Sequence, residues 1–245
     1  MIKAFVFDAY GTLFDVQSVS AVTDRAFPGH GALISQIWRM KQLEYSWLRS
    51  LMDDYRDFWA VTCEALAYTL ATLGLEPGEG LVDEIAQAYN ALTPYPDAAP
   101  ALAALSGMRC AILSNGSPAM LDALVSGSPL KGMIADILSV DEKRCFKPDP
   151  RAYQLVEEHL GVRPHEVVFV SSNGFDIAGA KRFGFRVARI ARVPAAALAS
   201  ELAGAEALTS GGLYRALRSQ EEALGHRPDW VVSSLAELPP VAVPA

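Results

Sequence analysis

Four polar segments of the sequence carry side chains suited to nucleophilic and acid–base chemistry. In chain order they supply the Asp8 carboxylate, the Ser114 hydroxyl, the Lys147 ammonium group and the Asp176 carboxylate. A carboxylate can attack carbon, an ammonium group can orient it through a charge-assisted hydrogen bond, and a second carboxylate can accept a proton. Each residue alone also has a simpler interpretation, because an aspartate at a strand end often caps a helix and a loop lysine is usually a solvated charge.

Three of these segments follow short apolar runs that are rich in strand-forming residues. The runs cover 2–7, 110–113 and 167–170, and a capping side chain followed by proline marks helix starts at Ser117 and Asp149. Alternating apolar strands and helices are typical of an α/β fold, in which ligands bind at the carboxyl ends of parallel strands. The sequence therefore predicts a Rossmann-like parallel-sheet core with the polar segments gathered at one edge.

The alternation of strands and helices disappears between residues 16 and 97. Helical periodicity dominates there, most clearly from Ala32 to Met52, and the proline-rich stretch from Thr93 to Asp97 leads back to the α/β pattern. We therefore expect two domains. An α/β core is formed by residues 1–15 and 98–245, and a helical cap domain is inserted at residues 16–97.

Composition excludes several classes of protein. The chain has 245 residues, 51% hydrophobic content and a net charge of −7, so it can bury a sizeable core and offers no basic surface for nucleic acid. No apolar stretch approaches the length of about 18 residues that spans a membrane, and the opening MIKAFVFD lacks a secretory leader. We expect a cytoplasmic protein whose partners are small molecules or other protein chains.

The joint order of the polar segments resembles a known family. DAYGTL at Asp8, LSNG at Ser114, FKPDP at Lys147 and SSNGFD ending at Asp176 resemble the four motifs of the haloacid dehalogenase superfamily, and most closely those of the L-2-haloacid dehalogenases. The resemblance covers the whole chain. It implies hydrolysis of short (S)-2-haloacids to (R)-2-hydroxyacids and halide, without a metal or cofactor, through an ester on Asp8.

Two positions separate this chain from the phosphatases of the same superfamily. A phosphatase needs an acid two residues after its nucleophile and further carboxylates to hold magnesium, but this sequence has Tyr10 and Ser172 at those positions. Halide leaves as a stable anion and needs no proton, so the loss of these acids does not impair dehalogenation. The sequence therefore favours a dehalogenase that assembles no metal site, with a metal-dependent phosphatase or an inactive binding module as the alternatives.

The resemblance assigns the first half-reaction to three residues. Asp8 would displace halide from C2 with inversion, Lys147 would hold one Asp8 oxygen and aim the other, and Thr12 would help fix the same loop. Thr12 is equally explained as a turn hydroxyl.

The second half-reaction hydrolyses the ester. Asp176, with Lys147, Asn173 and Ser171, would orient and deprotonate the water, and Tyr153 would lie near the nucleophile. Tyr153 is equally explained as a core aromatic residue.

Substrate binding is expected to rely on backbone groups and on one arginine. The N–H groups of Ala9, Tyr10 and Asn115 and the Ser114 hydroxyl would hold the substrate carboxylate. Arg39, Asn115 and Phe175 would receive the halide, and a dry wall for the alkyl chain would come from Leu43, Phe58, Tyr10 and Phe175. The alternatives are a solvated helix charge for Arg39 and plain core packing for the apolar residues.

A helical excursion within the core is expected at about residues 195–225. An apolar face along it, together with the aromatic-rich cap helix, predicts a homodimer, with burial in the chain's own core as the alternative. The residues of this face are Leu198, Leu202, Leu208, Leu213, Leu217 and Leu224.

Overall fold

The computed structural model describes residues 1–204, 209–219, 222 and 224–238. The strands in these parts are β1 (Ala4–Phe7), β2 (Phe14–Asp15), β3 (Thr93–Pro94), β4 (Arg109–Ser114), β5 (Asp136–Ser139), β6 (Val167–Ser171), β7 (Arg186–Ile190) and β8 (Trp230–Val232). The α-helices are α1 (Ser20–Ala26), α2 (Gly31–Leu51), α3 (Phe58–Thr72), α4 (Leu81–Ala86), α5 (Ala98–Ala104), α6 (Pro118–Ser126), α7 (Pro150–Leu160), α8 (Gly174–Phe183), α9 (Ala195–Gly204) and α10 (Ser210–Ser219).

Six strands form one parallel sheet in the order β5-β4-β1-β6-β7-β8. β1 is fully buried and lies between β4 and β6, with Phe5 opposite both Cys110 and Val168. The chain builds the sheet first to one side of β1 and then to the other. Such a reversal opens a crevice at the carboxyl ends of the central strands. The predicted α/β fold with a parallel sheet is confirmed.

The two capping residues that the sequence indicated, Ser117 and Asp149, each begin a helix. The Ser117 hydroxyl accepts a hydrogen bond from the Met120 amide at the start of α6, and the Asp149 carboxylate accepts one from the Arg151 amide at the start of α7. Each cap satisfies a backbone donor that the first helical turn leaves unpaired. Both helices begin directly after the polar segments at Ser114 and Lys147, and these caps therefore fix where the segments end.

Helices α1 to α4 occupy the region between β2 and β3. These two short strands pair antiparallel, Phe14 with Pro94 and Asp15 with Thr93. They lie at the two borders expected for the cap, so the chain enters and leaves the helical region at adjacent points. The sequence did not predict this ribbon, because two-residue strands carry no periodic signal. The division into core and cap domains stays a prediction.

The excursion beyond β7 consists of the two helices α9 and α10. Leu198 is buried, contrary to its expected place on an exposed apolar face, whereas Leu213, Leu217 and Leu224 are exposed. Leu208 lies outside the described residues. The homodimer therefore stays a prediction. None of the helices in the described parts is long and apolar enough to cross a bilayer.

Candidate active site

Asp8 stands at the carboxyl end of the central strand and is held by a buried lysine. The Lys147 ammonium group lies 3.2 Å from Asp8 Oδ1 and 2.9 Å from Asp176 Oδ2. All three side chains are buried. In such a low-dielectric site the central ammonium group stabilises two carboxylates that would otherwise repel each other. The structure thus brings together three of the residues that the sequence singled out from distant segments.

The second oxygen of Asp8 is also held. Asn173 Nδ2 donates to Asp8 Oδ2 over 2.8 Å, and the Thr12 hydroxyl donates to the same oxygen over 3.3 Å. Asn173 donates directly to the nucleophile and to the Tyr10 carbonyl, and its expected contact with the attacking water stays a prediction. Three donors fix the plane of the Asp8 carboxylate and occupy three of its roughly four lone-pair sites, so the remaining site is on Oδ1.

Asp176 is fully buried and satisfied on both oxygens. The Tyr153 hydroxyl donates to Asp176 Oδ1 over 2.9 Å, and Lys147 donates to Oδ2. Burial raises the pKa of Asp176 to about 6, against the lowering effect of the Lys147 ammonium group. Tyr153 therefore contacts the second carboxylate rather than Asp8. Its own pKa is raised by burial and by Asp176, so it remains a hydrogen-bond donor.

Ser172 links the loops that follow β1 and β6. Its backbone N–H donates to the Thr12 hydroxyl over 3.0 Å, and its hydroxyl donates to the Gly11 carbonyl over 2.8 Å. Gly11 has a φ of 87°, which favours glycine and allows the chain to turn sharply after Asp8. Ser172 therefore ties the loops together at the position where a phosphatase has a carboxylate. Within the described residues, no three His, Cys, Asp or Glu side chains group closely enough to hold a metal ion.

A small cavity is lined by the Asp8 carboxylate. Its volume is about 10 Å³, which is room for roughly one water molecule. Nine of the fifteen residues expected at the site line it: Asp8, Tyr10, Arg39, Leu43, Phe58, Asn115, Lys147, Asn173 and Phe175. We call this cavity the reaction pocket.

The other six expected residues lie behind this lining. Besides Thr12, Tyr153 and Asp176, they include Ser114, whose hydroxyl accepts from the Gly116 amide, and Ser171, whose hydroxyl accepts from the Asn173 amide. These two hydroxyls shape the loops that carry Asn115 and Asn173. The sixth is Ala9, whose carbonyl accepts three amides of the turn after β1.

Arg39 reaches the reaction pocket from α2. The residue is only 4% exposed, so the alternative of a solvated helix charge is wrong. Its guanidinium group donates to Gln42 Oε1 over 2.6 Å, and Gln42 Nε2 donates to the Thr62 hydroxyl over 2.7 Å. This chain of hydrogen bonds between α2 and α3 holds a cation opposite the nucleophile.

Aromatic rings form most of the apolar wall. The rings of Tyr10 and Phe58 lie 5.6 Å apart, and Phe175 meets Trp47 edge-on at 5.2 Å. Burial raises the pKa of the Tyr10 hydroxyl, which has no hydrogen-bond partner among the described residues. Tyr10 therefore contributes a ring to the pocket and cannot serve as the acid that a phosphatase needs at this position.

Comparison with known proteins identifies the family. A family model of haloacid dehalogenase-like hydrolases matches residues 2–184. The chain belongs to this family. This haloacid dehalogenase-like hydrolase is 60% identical to an (S)-2-haloacid dehalogenase of Xanthobacter autotrophicus. The match covers 98% of this chain and 94% of the relative. An (S)-2-haloacid dehalogenase of Pseudomonas sp. (strain YL) is 42% identical over 96% of this chain and 91% of its own.

A solved structure is similar throughout. It is the L-2-haloacid dehalogenase of Xanthobacter autotrophicus with chloropropionic acid covalently bound, which superimposes with a TM-score of 0.96 at 59% identity over 98% of both chains. The resemblance inferred from the four sequence motifs is thereby confirmed. This haloacid dehalogenase-like hydrolase therefore has the same α/β fold as that enzyme.

Sequence reasoning missed four residues around the site of this haloacid dehalogenase-like hydrolase. Gln42 and Thr62 orient Arg39, and Ser172 joins the loops at Thr12. Arg218 on α10 donates to Asn173 Oδ1 over 3.3 Å. The spacing of Gln42, three residues after Arg39, could have indicated a contact on one helix face. Ser172 had been noted only as a position without the phosphatase carboxylate, and nothing in the sequence pattern pointed to Thr62 or Arg218.

Gly179 on α8 allows Tyr153 to reach Asp176. A Cβ at Gly179 would lie 2.4 Å from the Tyr153 hydroxyl and 2.7 Å from Pro148 Cβ. We expect Gly179→Ala to lower the free energy of unfolding by about 1–3 kcal/mol through overpacking, although alanine favours helix. Denaturant unfolding measures this change. Gly107→Ala, where a Cβ meets nothing within 4 Å, is the control and should change stability by less than about 0.5 kcal/mol. Equal effects of the two substitutions would contradict the close contact.

Proposed function

We propose that this hydrolase replaces the halogen of short (S)-2-haloacids with hydroxyl, giving (R)-2-hydroxyacids and halide. The observation that carries the proposal is the Asp8 carboxylate, fixed by Lys147, Asn173 and Thr12 at the floor of an apolar pocket that also contains Arg39. The curated relatives named (S)-2-haloacid dehalogenase support the same substrate class. Tyr10 and Ser172, in place of the acids of a phosphatase, argue against phosphate transfer.

In the first half-reaction Asp8 attacks C2 of the substrate. One carboxylate oxygen forms a bond to C2 while the carbon–halogen bond breaks, the halide leaves with the bonding electrons, and the configuration at C2 inverts. Lys147, Asn173 and Thr12 hold the carboxylate in place, which lowers the entropic cost of reaching the attacking geometry. Arg39, Asn115 and the ring edge of Phe175 receive the halide as its charge develops.

In the second half-reaction water opens the ester at the carboxyl carbon of Asp8. The oxygen of water bonds to this carbon as one of its protons passes to Asp176. The bond between the carbon and the alkoxide oxygen then breaks, and Asp176 returns the proton to this oxygen to give the 2-hydroxyacid. Asp8 is regenerated when its carboxyl group releases the second proton of the water. Tyr153 and Lys147 hold Asp176 in position, and Ser171 shapes the loop that carries Asn173. A buried carboxylate with a raised pKa is suited to accept this proton.

The substrate carboxylate is proposed to bind next to the turn that follows β1. Backbone N–H groups of Ala9, Tyr10 and Asn115, with the Ser114 hydroxyl, neutralise it without placing another cation beside the nucleophile. The alkyl chain packs against Tyr10, Leu43, Phe58 and Phe175, all of which line the reaction pocket. The helical region at 16–97 acts as the cap that supplies Arg39 and much of this wall.

Chloride release from racemic 2-chloropropionate tests the function directly. The enzyme is treated with excess EDTA, free chloride is measured, and the lactate formed is analysed on a chiral column. We expect undiminished turnover, consumption of one enantiomer and (R)-lactate as product, because Asp8 needs no metal to attack carbon. Turnover that disappears with EDTA and returns with magnesium would contradict the metal-free mechanism. Hydrolysis of phosphate monoesters without chloride release would establish the phosphatase alternative.

The raised pKa of Asp176 predicts a pH dependence for one half-reaction. Below about pH 6 Asp176 becomes protonated and cannot accept the proton of water, so ester hydrolysis should slow by up to about tenfold per pH unit. The rate of halide release in the first turnover should decline less than the rate of ester hydrolysis as the pH falls. Rapid-quench measurement of both steps from about pH 5 to about pH 8 separates them. Parallel loss of both steps would show that a different group titrates.

Three further parts of the interpretation remain proposals. They are the homodimer, the cytoplasmic location and the requirement for no cofactor. The exposed leucines of α10 support the homodimer, because apolar residues grouped on a surface often mark an interface.

A further inference from the structure

The reaction pocket is too small to exchange ligands as it stands. Its volume of about 10 Å³ admits roughly one water molecule, whereas the proposed substrate and both products are larger anions. Each turnover must therefore pass a haloacid inward and a halide and a hydroxyacid outward. The residues shared between the reaction pocket and neighbouring cavities show where these anions can pass.

One neighbouring cavity is rich in arginine. It has a volume of about 230 Å³ and shares Tyr10, Arg39 and Asn173 with the reaction pocket. We call it the arginine cavity, and its cationic lining consists of Arg39, Arg189, Arg192, Arg215 and Arg218. The Gln36 side chain also lines it, is only 8% exposed, and its Oε1 has no hydrogen-bond partner among the described residues. A buried amide of this kind can rotate to present its NH₂ group to an anion.

The arginines of this cavity differ in their partners. Arg192 pairs with Asp97 and Arg215 pairs with Glu201. Within the described residues, Arg39 and Arg218 form no salt bridge, and their hydrogen bonds go to the neutral amides of Gln42 and Asn173. Burial lowers the pKa of Arg218, and so does the charge of Arg39. A buried cation, Arg39, and a half-buried one, Arg218, repel each other and leave a place where an anion is stabilised.

A second cavity also adjoins the reaction pocket, through Leu43 and Phe175. It is an open groove of about 810 Å³ with a mostly apolar lining that contains the carboxylates of Glu44, Asp149 and Glu222 and the guanidinium group of Arg218. An anion in this groove would meet one arginine among three carboxylates, whereas the arginine cavity has five arginines and one carboxylate, that of Asp15. Its chemistry therefore disfavours halide, and the arginine cavity is the better route.

We propose that the arginine cavity is a second anion site, in which Arg218 receives the halide as it leaves Arg39 and the reaction pocket. This inference rests on the proposed dehalogenation. Arg218 is placed for the role because its guanidinium group contacts Asn173, a shared wall residue, and lies 5.9 Å from the centroid of the Phe175 ring. No bond is made or broken at this site, and the halide moves from one guanidinium group to the next.

Halide inhibition tests the assignment. Bromide release from 2-bromopropionate is followed at increasing chloride in the wild-type enzyme and in Arg218→Met. We expect the inhibition constant of chloride to rise about tenfold in the variant, because a charge-assisted contact is lost. Ester formation in a single turnover should change less than about threefold, since Arg218 lies outside the reaction pocket. Arg218→Lys retains the charge and should largely restore inhibition.

Control variants and a second inhibitor define the outcomes. Arg182→Met removes an exposed arginine of α8 and should leave chloride inhibition unchanged. The proposal would be overturned if the inhibition constant of chloride were unchanged in Arg218→Met, or if it changed equally in Arg218→Met and Arg182→Met. If Arg218→Met weakened inhibition by lactate and left inhibition by chloride unchanged, the site would bind the carboxylate product, and this result would overturn the halide route. Arg218→Gln provides a second neutral variant if the methionine variant does not fold.

A binding measurement separates this proposal from the proposed function. Trp47 packs on the Phe175 ring near Arg218, so iodide in the arginine cavity should quench its fluorescence in the absence of substrate. We expect a saturable component of quenching in the wild-type enzyme and in Arg182→Met, and its loss in Arg218→Met. Saturable quenching without any halide release from haloacids would support an anion site while rejecting dehalogenation. Purely linear quenching in the wild-type enzyme would reject the anion site itself.

Discussion

Asp8→Asn should abolish turnover, with halide release falling by at least about 10⁴-fold. Asparagine keeps the size of aspartate, but its neutral amide cannot displace halide from C2. Halide release under substrate saturation measures the loss. Asp122→Asn, a change at an exposed position of α6, is the control and should leave turnover unchanged. Residual turnover within about tenfold of the wild-type enzyme would mean that Asp8 is not the nucleophile.

The same carboxylate can be followed with labelled oxygen. In a single turnover in heavy-oxygen water, the proposed ester route places unlabelled oxygen in the 2-hydroxyacid, and Asp8 itself takes up the label. If Asp8 acted only as a general base, the label would enter the product in that first turnover. The ester route is favoured because a carboxylate held by Lys147 against a bound substrate gains an effective molarity on the order of 10⁵ M or more. Labelled product with unlabelled Asp8 would contradict it.

Asp176→Asn should separate the two half-reactions. The change removes the group that accepts the proton of water but leaves Asp8 and its Asn173 and Thr12 contacts in place. We expect ester hydrolysis to slow by about 10³-fold and the first release of halide to slow by less than about tenfold. The enzyme should therefore release about one equivalent of halide and then stop with Asp8 esterified.

Intact mass spectrometry detects this trapped ester. The chain mass should increase by the mass of the substrate's 1-carboxyalkyl group less one proton, and peptide mapping should locate the increase at Asp8. The Asp122→Asn control should show no accumulation. Equal loss of both steps in Asp176→Asn would instead assign Asp176 to the support of Lys147, whose ammonium group it contacts at 2.9 Å.

Much of the site could be predicted from local sequence. Each of the three apolar strands ends at a polar segment, and parallel strands bring such segments to one edge, so Asp8 and Asp176 were expected to meet, while the motif resemblance placed Lys147 beside them. They do meet, with Lys147 between the two carboxylates. All nine residues that line the reaction pocket were also expected there. Residue type, strand order and motif resemblance were sufficient for these assignments.

The sequence also determined which chemistry the site can support. Tyr10 and Ser172 stand where a phosphatase has acids, and no fold can supply a carboxylate that the chain lacks. The strand pattern determined the α/β class for a related reason. Apolar runs that are buried on both faces need helices on both sides, and the segments between these runs supply them.

Only the tertiary structure decided which atoms the side chains contact. Asn173 donates to Asp8 across 165 positions of sequence, and Arg218 reaches Asn173 from a helix beyond the last motif. Contacts of this kind depend on sheet order, helix packing and close approaches such as Gly179 against Tyr153. They carry no periodic signal, because each hydrogen bond is set by the relative position of two distant elements rather than by either segment alone. The sequence thus determined the reactive groups, and packing decided their partners and the cationic cavity beside them.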